Sequence, residues 1–168
     1  MPEKAYIGLG SNLGDRQAYL TGGLQALGDL PGTRIEALSS LFETPPAGYL
    51  DQPFFLNAAA ALQTSLPPEE LLQAMQVIEA SHHRQRTLPW GPRTLDLDLL
   101  LYGNRILCTP TLIRPHPRLT ERCFVLAPLG EIEPDLRHPC TGQRLMDYYQ
   151  ALNCNRQVRR LGKVRLNT

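Results

Sequence analysis

A chain of 168 residues, 42% hydrophobic and 20% charged, has room for one domain with a core of its own and excludes both a large multidomain enzyme and a wholly disordered polymer. Seventeen Lys and Arg against sixteen Asp and Glu leave a net charge of +1, too balanced for a protein that grips nucleic acid along a whole face. No stretch approaches the roughly eighteen apolar residues of a membrane span, and the N-terminus lacks the basic-then-apolar pattern of a signal peptide, so a cytoplasmic chain without membrane contact is expected.

In chain order, residues 5–10 (AYIGLG) read as a buried strand running into a Gly-Ser-Asn-Leu-Gly turn, with Ser11 and Asn12 bonding local backbone. That stretch lacks the lysine of a P-loop and the spacing of a dinucleotide fingerprint. Asp15 opens a helix with Leu20, Leu24 and Leu27 at helical spacing, weakened by Gly22 and Gly23. Residues 35–44 and 54–64 read as two strands joined by TPPAGYLDQP, a loop whose prolines and glycine forbid regular structure. Pro67 and Pro68, followed by Glu69 and Glu70, start a helix that lines Leu71, Met75 and Ile78 along one face. After SHHRQRTLPWGPR, which has no clear period, residues 95–102 read as a strand, and 122–129 and 142–152 as further helices. The order β-α-β-β-α-β predicts an α+β, ferredoxin-like sandwich. Helices pack on one side of an antiparallel sheet, and extra helices follow at the C-terminal end.

Arg156, Arg159, Arg160, Lys163 and Arg165 crowd the end of the chain and leave a net −4 ahead of them, so residues 1–153 are expected as the domain and 154–168 as a basic tail hanging from it. Cys108, Cys123, Cys140 and Cys154 form no C-x-x-C pair, and reduced thiols are expected.

The most informative stretch is WGPRTLDLDLLLYGN, residues 90–104. On a strand, Asp96 and Asp98 share one face, roughly 7 Å apart, while Leu95, Leu97 and Leu99 share the other. The apolar flank marks a central strand, where two like charges side by side call for a counterion, and Mg²⁺ commonly takes one or two carboxylates plus phosphate oxygens. The plain alternative is a solvated or arginine-paired Asp pair. Arg84, Arg86, Arg93, Arg114, Arg118 and Arg122 lie in a span whose acids are Asp96, Asp98 and Glu121. Carboxylates ringed by guanidinium groups suit polyphosphate transfer, although a solvated basic face would give the same count. His116, between Pro115 and Pro117 among these arginines, is either a phosphate contact or a structural turn residue. No serine or cysteine elbow accompanies the histidines.

In four ordered blocks, YIGLGSNLGDR, ETPPAGYLDQPFFLNAA, WGPRTLDLDLLLYG and PHPRLTERCFVLAPLGEI, spanning about residues 4–150, the sequence resembles the 6-hydroxymethyl-7,8-dihydropterin pyrophosphokinase family of folate biosynthesis. The resemblance implies Mg²⁺- and ATP-dependent transfer of a diphosphate to the pterin hydroxymethyl oxygen, with release of AMP. Its substrates are then ATP and the pterin, with no nucleic acid or membrane partner and a monomeric chain. By position it makes Asp96 and Asp98 the ligands of two Mg²⁺ ions and Arg84 and Arg93 the catalytic phosphate contacts. Gln76, Glu79, Arg86, Trp90, His116 and Arg122 complete an ATP site, while Thr44, Pro45, Ala47, Phe55, Asn57, Asp96 and Phe124 hold the pterin. A flat heteroaromatic ring stacks between aromatics and an amide matches its polar edge, whereas by burial alone Phe55 and Phe124 read as ordinary core. Asn57, in the apolar run FFLNAAAAL, must find partners either way. The loops 44–53 and 81–92 flank this site, and their closure on ATP would exclude water.

Two departures stand out. Pro89 replaces the basic residue that the family usually has before Trp90 and Gly91, and Phe55 replaces what is often tyrosine. Pro89 keeps open a non-catalytic pterin- and nucleotide-binding paralogue. A ferredoxin-like RNA-binding module would need a K/R-G-F-G-F run, and none is present.

Overall fold

The structure, a computed structural model, describes residues 2–45, 51–82, 94–154 and 158–163. Its elements in chain order are β1 (Glu3–Ser11), α1 (Arg16–Gly28), β2 (Thr33–Leu38), β3 (Ser40–Thr44), β4 (Phe55–Thr64), α2 (Pro68–Ser81) and β5 (Asp96–Tyr102). There follow the short β6 (Leu107–Cys108) and β7 (Ile113–Arg114), a 3₁₀ turn (Leu119–Glu121), α3 (Cys123–Ile132), α4 (Leu145–Ala151) and β8 (Arg159–Lys163). The main sheet runs β5-β1-β4-β3-β8, with β2 also on β4, and every pairing in it is antiparallel. The α+β, ferredoxin-like sandwich expected from the element order is what forms. No helix among the described residues is long and apolar enough to cross a membrane.

Alternation along the strands builds two cores. Ile7 and Leu9 of β1, Ala58, Ala60 and Leu62 of β4, and Leu97 and Leu99 of β5 pack against Leu20, Leu24 and Leu27 of α1 and Leu71, Met75 and Ile78 of α2. On the opposite face Tyr6, Ala59, Ala61 and Leu101 meet Val125, Leu126 and Leu129 of α3 and Leu145 of α4. The helices therefore cover both faces, not one. The C-terminal helices are a third layer rather than additions at an end, because β4 presents small alanines to both sides and lets helices approach each of them.

Local chemistry explains most boundaries. The Asp15 side chain accepts the Ala18 N–H at 3.1 Å and caps α1. Gly23 costs helix propensity but permits close packing, since a Cβ there would sit 3.1 Å from Leu95 Cδ2. Residues 35–44, expected as one strand, divide at Ser39. Its N–H donates to the Ala59 carbonyl at 2.9 Å, its Oγ accepts the Ala59 N–H at 2.8 Å, and its hydroxyl donates to the Ser40 carbonyl at 2.7 Å. A hydroxyl that competes for ladder hydrogen bonds breaks the ladder there.

Four further expectations are corrected. Ser11, expected in the turn, still lies within β1, and Asn12 bonds at a distance, its Nδ2 donating to Gln52 Oε1 at 2.8 Å and the Pro53 carbonyl at 3.0 Å. β5 is an edge strand, not a central one; its apolar residues are buried because α2 and the segment around β7 wrap that edge. The basic tail does not simply hang free: Arg159–Lys163 pair with β3, and Arg160 Nε donates to Glu131 Oε2 at 2.9 Å. Finally, Cys123 and Cys154 are joined in a disulfide, while Cys108 and Cys140 are free and exposed. Thirty-one residues separate the bonded pair, a distance that only the packing of α3 beside the chain end can close.

Candidate active site

The site forms where β1 and β3 end and β4 and β5 begin. Directly opposed residues of antiparallel strands share a face, and here Asp96 lies opposite Gly10, Gly10 opposite Asn57 and Asn57 opposite Phe42. One row further along, Asp98 lies opposite Gly8 and Gly8 opposite Ala59. All of these belong to the sheet face that carries α3. Two carboxylates therefore stand at the edge of a trough whose floor is glycine. A Cβ at Gly10 would come within 3.0 Å of Asn57 Oδ1 and 3.6 Å of Phe55 Cδ1.

At the far side of the trough, the Asn57 amide is 5% exposed and its Nδ2 donates to Thr44 Oγ1 at 2.6 Å. This meets the demand that an amide in an apolar strand be partnered, and it presents the Oδ1 toward Gly10. Phe55 pairs with Thr44 in register and is half-buried, while Pro45 is exposed. Phe124, near the start of α3, is half-buried against the second core, and the Arg122 guanidinium lies 5.6 Å from its ring centroid, a cation–π distance.

Electrostatics single out the carboxylate end. Burial pushes the Asp98 carboxyl up to about 6, the charge of Asp96 adding to it and that of Glu79 slightly, while Arg122 and Arg114 pull the other way. His116 is driven down to about 4 by burial and by Arg122, Arg114 and Arg118, against the opposing charge of Asp96. Its Nδ1 accepts the Arg118 N–H at 3.1 Å. The ring is thus neutral near pH 7 with its proton on Nε2, a donor that brings no additional charge. Burial lowers Arg114 while the charge of Asp98 raises it.

The structure thus brings Thr44, Asn57, Phe55, Asp96 and Asp98 onto one face and sets Arg122, His116 and Phe124 beside it. Gln76 and Glu79 differ in burial: Gln76 is exposed, and Glu79 is buried with its Oε2 accepting the Leu97 N–H at 2.8 Å. Ala47, Arg84, Arg86, Trp90 and Arg93 lie outside the described residues. Sequence reasoning missed Gly10 as the floor of the trough, although the alternation in GLG on a buried strand signals a face without side chains. It counted Arg114 among the local arginines without singling it out, and nothing in the sequence separates Arg114 from its neighbours.

The donor set can be tested against a metal. Two hard carboxylate oxygens facing a glycine floor suit Mg²⁺, and no group of three or more His, Cys, Asp or Glu converges among the described residues. The remaining coordination would fall to phosphate oxygens and water, which is how Mg²⁺ is usually held in phosphoryl-transfer sites.

A family model for 7,8-dihydro-6-hydroxymethylpterin-pyrophosphokinase matches residues 6–134. The chain is 48% identical over 139 residues to a 2-amino-4-hydroxy-6-hydroxymethyldihydropteridine pyrophosphokinase of Pseudomonas aeruginosa, covering 83% of this chain and 86% of that one. It is 51% identical over 128 residues to the protein of the same name from Bacillus subtilis, covering 76% and 77%. It is 42% identical over 150 residues to a folic acid synthesis protein of Pneumocystis carinii, covering 89% of this chain but 20% of that protein. Among solved structures, Plasmodium falciparum HPPK-DHPS with pterin and p-hydroxybenzoate superposes with a TM-score of 0.75 at 15% identity, covering 99% of this chain and 47% of that one. At that identity the likeness is one of fold, and this chain spans less than half of the longer protein.

Proposed function

The chain belongs to the 7,8-dihydro-6-hydroxymethylpterin-pyrophosphokinase family, and on that footing we propose that it transfers diphosphate from ATP to the hydroxymethyl group of 6-hydroxymethyl-7,8-dihydropterin, releasing AMP, in folate biosynthesis. The observation that carries the reading is the row Asp96–Gly10–Asn57 across three strands, with carboxylates at one end and a buried amide at the other. In this reading the pterin lies in the trough, its polar edge read by Asn57 and Thr44 with the backbone around Pro45 and Ala47, and its rings flanked by Phe55 and Phe124. Asp96 and Asp98 would hold two Mg²⁺ ions, which supply charge neutralisation to the triphosphate.

The chain's own residues would do the rest. Arg84 and Arg93, with Arg86, Arg122 and the neutral Nε2–H of His116, take the phosphate oxygens, while Gln76 and Trp90 belong to the nucleotide side. The new bond joins the pterin hydroxymethyl oxygen to the β-phosphorus. The bond that breaks links that phosphorus to the oxygen bridging it to the α-phosphorus, so AMP leaves with that oxygen and the hydroxyl proton passes to solvent. Positioning and charge neutralisation account for most catalysis of this type, so no strong base is required. The same reading has the chain act as a cytoplasmic monomer on small-molecule substrates.

The test is AMP formation by the purified chain with ATP and Mg²⁺, with and without 6-hydroxymethyl-7,8-dihydropterin. AMP that depends on the pterin supports the proposal. Pterin binding by calorimetry without AMP would replace it with a non-catalytic paralogue, and neither would remove it.

A further inference from the structure

Among the described residues β5 ends the sheet, so the backbone groups on its outer side have no described strand to bond. Side chains and a loop take the strand's place. The N–H of Leu97, the residue between Asp96 and Asp98, donates to Glu79 Oε2 at 2.8 Å. The Leu99 carbonyl accepts from Arg114 Nε, and the Leu100 carbonyl from the His116 N–H at 3.1 Å. These three contacts bracket Asp98.

Glu79 is the costly member of the set. It lies in the last turn of α2, the end of a helix that disfavours negative charge, and it is 6% exposed, where a carboxylate must be hydrogen-bonded to be tolerated. One oxygen of this acid is aimed at the peptide joining Asp96 to Leu97. The direction of a strand side chain follows from the peptide planes on either side of it. An edge strand with an unheld N–H is free to twist, and a twist at Leu97 turns both aspartates at once.

We propose that Glu79 is a positioning residue for the proposed diphosphate transfer: by holding the Leu97 N–H it fixes the directions in which Asp96 and Asp98 present their carboxylates. The inference rests on the reading of that pair as the metal-holding group. It differs from a nucleotide contact at Glu79 in what it requires, namely an acceptor oxygen and not a charge.

The experiment compares the wild-type chain with Glu79→Ala and Glu79→Gln. Removing such an outer support should lower kcat about 10–100-fold in Glu79→Ala while KM for ATP moves less than about threefold, and Glu79→Gln, which keeps a carbonyl oxygen, should recover activity to within about threefold of wild type. Glu79→Gln as impaired as Glu79→Ala would show that the charge is used and would overturn the proposal. A raised KM for ATP with kcat preserved would also overturn it, in favour of direct nucleotide contact. Should Glu79→Ala not fold, hydrogen exchange decides: the Leu97 amide is expected to stay protected in wild type and Glu79→Gln, and rapid exchange in an active Glu79→Gln would refute the role. A wild-type chain that makes no AMP overturns the activity reading separately. Calorimetric Mg²⁺ affinity with an unreactive ATP analogue, about tenfold weaker in Glu79→Ala and restored in Glu79→Gln, would then still decide the role of Glu79.

Discussion

Replacing Asp98 with Asn should stabilise the fold while destroying turnover. In the folded chain the Asp98 carboxyl is raised from 3.8 to about 6, by burial first and then by Asp96. An acid whose folded value lies above its unfolded one binds its proton more tightly when folded. Its contribution is therefore fully favourable below about pH 4 and is lost as pH rises from about 4 through about 6. A shift of about two units, at about 1.4 kcal/mol each, leaves the ionised group costing about 3 kcal/mol at pH 7 and above. Asn has the same shape without the charge, and at about 2–4 °C per kcal/mol for a chain of this size the gain is about 6–12 °C in Tm. The assay is thermal unfolding with a chelator at about pH 8 and again at about pH 4.5, where wild-type Asp98 is protonated in the folded chain and the gap should shrink to about 1 kcal/mol, about 2–4 °C. Added Mg²⁺ should then raise the wild-type midpoint more than that of the variant, and AMP formation by the variant should fall at least about a hundredfold with pterin affinity retained. An equal or lower midpoint for Asp98→Asn at about pH 8, or a gap of the same size at both pH values, would refute the reasoning that buried like charge sits at this position.

The trough itself predicts that Gly10→Ala, whose Cβ would press on Asn57 Oδ1 at 3.0 Å, raises KM for the pterin about tenfold with little change in Tm; an unchanged KM would remove Gly10 from the floor of the site. His116, lowered to about 4 chiefly by burial, should titrate near that value by NMR. Since the unfolded chain takes up this proton between about 6.5 and 4, the stability it contributes is complete above about 6.5 and declines as pH falls. A midpoint near 6.5 would mean that the ring is not buried among those arginines. The Cys123–Cys154 bond closes a loop of 31 residues, worth about 3–4 kcal/mol by chain entropy, so Cys154→Ser or a reducing agent should lower Tm by about 10 °C; superimposable melts with and without reductant would contradict the pairing.

Much of the architecture follows from local pattern. Leu20, Leu24 and Leu27, and Leu71, Met75 and Ile78, recur at the helical period and do face the core. The alternation Asp-Leu-Asp-Leu placed both carboxylates on one strand face before any partner strand was known. Where local pattern failed, a distant group had intervened. Ser39 divides a strand because Ala59 stands opposite it. Asn12 turns to Gln52 and Pro53 rather than to its own turn, and the chain end becomes β8 because β3 offers it an edge.

The sequence by itself determined the periods, and with them the main helices, most of the strands and the Asp96–Asp98 face, because each of these depends on residues within a turn or two of one another. Through its four blocks it also determined the family. Only the tertiary structure decided that β5 lies at an edge, that Glu79 is spent on the Leu97 N–H, that Cys123 meets Cys154, and that Gly10 lies between Asp96 and Asn57. Each of these joins residues eighteen or more positions apart, and which such pair meets is set by strand order and register, quantities that no local period contains.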